Sequence, residues 1–352
     1  MTAPPVKGVT ARIQFTNHLV DGASVQGSDP ILTGATGRLW ASAGGRVRLE
    51  LQADPSSTGV GDVQVLLDHN QVSVYDSSAN AVYKAKLPAH RGTETNKHGE
   101  RPPSVARIQQ AIKRLSAHAL ISGAIPSDVA GQPAYTVHVS PKHNGGLVGG
   151  AQLAWDAVNG TPVRAAVYAR GDSSPVLELK ATDISFGPVS PSVFDVSPPS
   201  GAKVTKITAP THHSAQQDQR SASVVGLAAV QKRSSFRITA PPNLAGMPRD
   251  ETRLISSGHD SGALITYGRG LGGLAVIETA AETKDAPSSG STGAGSGDQP
   301  GLQLPEVSIN GYPGQELDTA LGTAVSFQRN GVHYVVAGSV SPQVAQAAAR
   351  GL

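Results

Sequence analysis

The sequence predicts an α+β protein of two domains: a large, curved, antiparallel sheet with one covering helix, then a smaller α+β C-terminal domain. Three observations predict it. Short segments with a hydrophobic period of two recur up to about residue 205, punctuated by Gly, Pro and Asn. One stretch among them, residues 104–119, carries the helical period instead. A polar run, residues 208–220, then precedes a second set of strand patterns.

The elements follow in order. Residues 11–19 and 37–40 read as the first two strands. In residues 46–52, Val47, Leu49 and Leu51 alternate with Arg46, Arg48 and Glu50, which marks a strand with one apolar and one wet face. Residues 62–68, with Val63, Val65 and Leu67, and 71–75, with Val74, flank the short connection His69-Asn70 and read as a hairpin. Residues 81–87 form the next strand, which Pro88 ends.

Residues 90–103 are polar and irregular, so a loop is expected. Ser104 then suits an N-cap, and Val105, Ile108, Ile112, Leu115 and Ala119 recur at spacings of 3, 4, 3 and 4. That is an amphipathic helix, with Arg107, Gln109, Lys113 and Arg114 on its other faces. After Pro126, strands are expected at 134–139 (Val137, Val139), 151–156 (Leu153, Trp155), 163–168, 176–179 and 181–186. The turns between them carry Asn144-Gly-Gly, Asn159-Gly-Thr-Pro and Gly171-Asp-Ser-Ser-Pro.

The division expected is a first domain over residues 1–207, a linker over 208–220 and a C-terminal domain over 221–352. In the latter a helix is expected at 221–233 and strands at 236–240, 252–256, 263–267, 274–279, 307–309, 322–329 and 332–338. Asn330-Gly331 is a two-residue hairpin signal. Residues 284–301 are rich in Ser, Gly, Thr and Ala with no apolar face, so a disordered loop is expected there. Ser341-Pro342 opens a last helix over 343–350, with Pro at its first position.

Composition narrows the function classes. The chain has 352 residues, 40 Gly, 25 Pro and only 4% aromatic residues, so any cavity is lined mainly by aliphatic side chains. The net charge of +3 is scattered, and no Lys/Arg run is interleaved with aromatics, which argues against nucleic-acid binding. With no cysteine, thiolate catalysis, disulfides and Cys-based metal sites are excluded. The most apolar region, 264–281, is broken by Gly268, Arg269, Gly270, Gly272 and Gly273 and is not a membrane span.

The apparent chemical motifs read better as structure. Gly268-Arg-Gly-Leu-Gly-Gly273 matches G-x-G-x-x-G, but a strand pattern follows it where a dinucleotide site needs a helix. His212-His213 sits in the polar linker with no third ligand at metal spacing. Ser256-Ser-Gly-His-Asp260 holds triad residue types, but adjacent side chains diverge, so it reads as a turn. No catalytic residue, metal site or cofactor is expected.

Several segments, in order, resemble the lipoprotein-carrier superfamily of LolA, LolB and the N-terminal domain of RseB. These are Arg46–Leu51; Leu67–Tyr75 with Ala81-Val-Tyr83; Val129–Val137; Trp155-Asp156 with Pro162-Val-Arg164; and the exit Phe194–Val204. The resemblance covers about residues 10–205. It implies a half-barrel that holds lipid or acyl chains without chemistry. It further implies an extracytoplasmic protein of the bacterial cell envelope, tethered to the membrane through a leader or anchor that precedes this chain. The LolA branch relies on an arginine near its cavity to keep a lid closed, and Arg38 and Arg48 stand in suitable strands. The C-terminal domain resembles a small α/β domain of similar exported proteins.

The function expected is therefore non-enzymatic binding of lipid or acyl chains, as carrier or sensor. The lining candidates are Val47, Leu49, Leu51, Val63, Val65, Leu67, Val74, Ile108, Ile112, Leu115, Val137, Val139, Leu153 and Trp155. The same residues suit a closed core beneath the 104–119 helix equally well. The alternative function is an RseB-like regulatory module that binds an anti-sigma factor or another envelope protein.

Overall fold

The computed structural model describes residues 6–20, 32, 34–53, 61–86, 119–207, 224–257, 260–281 and 304–352. The expected covering helix at 104–118, with Ile108, Ile112 and Leu115, lies outside the described residues, as do the 208–220 linker with His212-His213 and the 284–301 segment. The chain divides into two units. One is built from residues 1–18, 28–143 and 149–211, the other from 19–27, 144–148 and 212–352.

The first unit is one 13-stranded sheet. Its strands are β1 (Gly8–Asn17), β2 (Ala35–Ser42), β3 (Val47–Ala53), β4 (Asp62–Asp68), β5 (Gln71–Asp76), β6 (Ala81–Lys86), β7 (Ala119–Ile121), β8 (Ile125–Val129), β9 (Gln132–Pro141), β10 (Val148–Asp156), β11 (Pro162–Ala169), β12 (Pro175–Phe186) and β13 (Lys203–Ile207). Their spatial order is β13-β6-β5-β4-β3-β2-β1-β12-β11-β10-β9-β7, with β8 also on β9. The sheet curls as a half-barrel. Two meanders, β1 to β6 and β9 to β12, are joined by the β1–β12 ladder.

The fold departs from the α+β expectation: the described structure is mostly β, with few helices. Ala119, expected to end the helix, begins a strand. The two strands expected at 176–179 and 181–186 are one, β12, because the irregularity is absorbed as a register shift against β1 at Arg12/Ile13 rather than as a turn. Nor is the sheet wholly antiparallel. The exit from the domain returns as β13, which runs parallel to β6 with Val204 opposite Val82.

The second unit is an eight-stranded antiparallel sheet in the order β14-β15-β16-β17-β21-β20-β19-β18. Its strands are β14 (Asn243–Leu244), β15 (Met247–Ser257), β16 (Asp260–Tyr267), β17 (Leu274–Ala280), β18 (Glu306–Ile309), β19 (Tyr312–Thr319), β20 (Gly322–Arg329) and β21 (Val332–Gly338). One face carries the core. Ile265, Val276, Val325 and Val336 are fully buried, and the Phe327 and Tyr334 rings stack at 4.9 Å. Helix α2 (Pro342–Arg350) contributes Ala345, Ala348 and Ala349 to the same cluster. Asn330 and Gly331 have φ of 52° and 72°, the left-handed pair that a type I′ hairpin requires.

Two expectations in this unit fail for identifiable reasons. The helix expected over 221–233 is α1, only Leu227–Gln231, because Gly226 at φ 99° sets its start and Val225 bridges to Arg253 instead. Residues 236–240 are not a strand. The Gln231 amide takes their backbone groups, Nε2 donating to Phe236 O and Oε1 accepting from Ile238 N, both at 2.9 Å. Side-chain hydrogen bonds thus replace the sheet ladder that alternation alone suggested.

Candidate functional site

Alternation along β1–β6 separates two faces. On one, the ladders align Ala11, Leu39, Leu49, Val65 and Val74 in one row, with Ile13, Gly37, Leu51 and Val63 in the next. Leu51 and Val63 are buried, at 7% and 6% exposure. Leu49, Val65 and Val74 are half-buried and pack against that cluster. Val47 and Leu67 form the following rung, opposite each other and half-buried. Seven expected lining residues thus share one aliphatic face.

The remaining described candidates are placed elsewhere. Val139 pairs with Ala151, Val137 with Leu153 and Tyr135 with Trp155 along β9–β10. These residues alternate with Ala134 and Ala154, which belong to the core cluster that holds Leu51 and Val63. Val137, Val139, Leu153 and Trp155 therefore occupy the other face of that ladder, and all four are half-buried.

The opposite face of β1–β6 is polar. One row reads Arg12, Arg38, Glu50, Gln64, Tyr75 and Val82, another Trp40, Arg48, Leu66, Ser73 and Lys84. Arg38 and Arg48 are thus turned away from the aliphatic row. Arg48 is engaged by its surroundings: Nη1 donates to Val193 O at 2.8 Å, the guanidinium sits 5.4 Å from the Trp40 ring, and Nη2 pairs with Glu50. Arg46 lies 4.8 Å over the ring of Phe194, itself buried. These contacts hold the single-turn 3-10 helix Pro191–Phe194 across β3. Residues Val196–Pro199 continue over β4–β6, enclosing a small cleft of about 40 Å³ with Gln64, Leu66 and Tyr75.

Further along, Glu178 is buried and accepts from Arg164 Nε at 2.7 Å, with Lys180 Nζ at 3.4 Å. Arg164 also donates to Gln152 Oε1 at 2.6 Å and to the Tyr168 hydroxyl at 2.9 Å. Burial opposes its charge, yet the hydrogen bonds it donates to Glu178 and Tyr168 raise the Arg164 pKa above its ordinary value. Two cavities open here, one of about 580 Å³ beside Arg12, Arg38 and Glu50 and one of about 500 Å³ beside Arg164 and Lys180, with Thr182 lining both. Sequence reading overlooked this network because Gln152, Arg164, Tyr168 and Glu178 come from three strands and form no local pattern.

The motifs read as structure are located too. Gly268–Gly273 connects antiparallel β16 and β17, with no helix after it. Ser257 and Asp260 pair at the β15–β16 turn. Among the described residues no helix is long and apolar enough to cross a membrane, and no group of three His, Cys, Asp or Glu is placed to hold a metal ion.

No family model matches the sequence, and no curated protein does. Solved structures do. The MucA/MucB complex of Pseudomonas aeruginosa is similar over 97% of this chain and 91% of that one, at 14% identity and a TM-score of 0.44. MucB alone gives a TM-score of 0.39 at the same identity, covering 97% of this chain and 90% of that one. A LolA superfamily protein from Nitrosomonas europaea matches over 55% of this chain and 91% of that one, at 10% identity and a TM-score of 0.22. The likeness is one of fold, and no residue role is carried across.

Proposed function

We propose that the first unit is a non-enzymatic binding module of the bacterial cell envelope that holds lipid or acyl chains against the aliphatic face of β2–β5. The observation that carries this reading is the row Leu39, Leu49, Val65 and Val74, half-buried side chains aligned across four strands beside the buried Leu51 and Val63. Each methylene that leaves water against such a wall contributes about 0.8 kcal/mol, so a long chain needs no specific polar contact. The low aromatic content, 4%, fits an aliphatic ligand better than a stacked one.

The test is uptake of a fluorescent fatty acid or phospholipid probe by the purified protein. Saturation near 1:1, weakened by Leu49→Asp and Val65→Asp, supports the reading. A signal no larger than that of a compact β-protein of equal size overturns it.

A second reading, a module that binds an envelope protein partner, is favoured by the sheet end at β7–β9. Leu120, Ile125 and Tyr135 are 56%, 48% and 45% exposed there, more than isolated surface apolar residues need be. Partner capture lost on Leu120→Asp with probe uptake intact would favour this reading over the first.

A further inference from the structure

Arg12 and Arg38 face each other directly across the β1–β2 ladder. Like charges placed opposite in a strand pair repel and destabilise it unless something compensates. The carboxylates nearest in register close no ion pair with either arginine. Glu50, opposite Arg38, is ion-paired to Arg48, and Glu178 is taken by Arg164 and Lys180. Asp183 stands opposite Arg12 in the β1–β12 register, yet no ion pair joins Arg12 or Arg38 to any carboxylate among the described residues. Both arginines line the cavity of about 580 Å³, together with Gln14, Thr36, Gln52 and Thr182 and with Glu50, whose carboxylate is ion-paired to Arg48.

We propose that Arg12 and Arg38 form a clamp for a phosphate group. Two planar guanidinium forks on adjacent strands match the bidentate geometry of phosphate oxygens. At neutral pH a phosphate carries one negative charge as a diester and close to two as a monoester, so it offsets part or all of the charge of the two arginines. Hydroxyl and amide donors around the rim satisfy the remaining oxygen lone pairs. The clamp does not rest on the acyl-chain reading, because Arg12 and Arg38 alternate with Ile13 and Leu39 and so lie on the other face of the sheet.

The test is isothermal titration of the purified full chain with inorganic phosphate, and separately flotation with vesicles of phosphatidylglycerol or of phosphatidylcholine. The variants are Arg12→Gln and Arg38→Gln. Arg253→Gln is the control, removing one cation that is paired with Glu251 in the second unit. Saturable phosphate binding that weakens about tenfold or more in each site variant and is unchanged in the control is the expected result. If only phosphatidylglycerol vesicles bind, with the same dependence on Arg12 and Arg38, the phosphate is that of a lipid headgroup. The clamp is overturned if neither probe binds, or if Arg253→Gln weakens binding as much as the site variants, since net charge alone would then explain it.

Discussion

Arg48 Nη1 donates to the carbonyl oxygen of Val193 at 2.8 Å, tying the third strand to a segment 145 residues later in the chain. With Arg46 over Phe194, this fastens the exit of the first unit across the polar face of its own sheet. The alternation of Arg46, Val47, Arg48 and Leu49 therefore does two jobs. Its apolar members build the aliphatic row, and its cations hold the closing segment.

Arg48→Ala removes the bond to Val193, the Trp40 contact and the partner of Glu50 together. We expect a loss of about 1–3 kcal/mol in urea denaturation. Faster amide exchange confined to residues 191–199 should accompany it. Arg48→Lys should restore little, because one ammonium cannot stack on Trp40 and reach Val193 at once. Unchanged exchange in that segment would show that other contacts hold it.

Leu51 and Leu49 separate core from candidate ligand surface within one strand. Leu51 is buried, so Leu51→Ala should cost about 2–5 kcal/mol. Leu49 is half-buried, so Leu49→Ala should cost less, about 1 kcal/mol, while reducing probe uptake. Equal stability losses with unaltered uptake would identify the whole row as ordinary core.

Glu278 gives the second unit a pH-dependent stability. It is fully buried on β17, and desolvation pushes its pKa up to about 7, although Thr239 N–H and Arg329 both act to lower it. A carboxyl whose folded pKa exceeds its unfolded value binds protons more tightly when folded. Its contribution is complete below about pH 4.5 and is lost as pH rises toward 7. The loss should be on the order of 3 kcal/mol across that window. Glu278→Gln should flatten this part of the stability–pH curve, as followed by thermal unfolding. A wild-type curve that rises between pH 4.5 and 7, with no decline attributable to Glu278, would contradict the assignment.

Ala245 occupies the left-handed region, at φ 47°, in the two-residue turn between β14 and β15. Alanine is strained there, whereas asparagine tolerates it. Ala245→Asn should stabilise the unit by up to about 1 kcal/mol, a rise of a few degrees in melting temperature. A fall in melting temperature would mean that the turn does not retain this geometry.

The local pattern was sufficient where each strand is flanked by its own turn signals. Residues 62–68 form β4 as expected, and Asn330-Gly331 makes the hairpin its residue types require. The alternation of Val47, Leu49 and Leu51 with Arg46, Arg48 and Glu50 likewise established the two faces, because side-chain direction in a strand has a period of two. Local pattern failed where distant groups compete for the backbone. The alternating residues 236–240 form no strand, since Gln231 and Glu278 accept or donate the bonds a ladder would have used. Only the tertiary structure decided which strands adjoin: β12 returns to β1, bringing Asp183 opposite Arg12, and β13 returns parallel to β6. It also assigned Val137 and Trp155 to the face away from Ala134 and Ala154. A period of two says that a strand has two faces, but which face meets the core depends on register and sheet order, and those are set by contacts far apart in the chain.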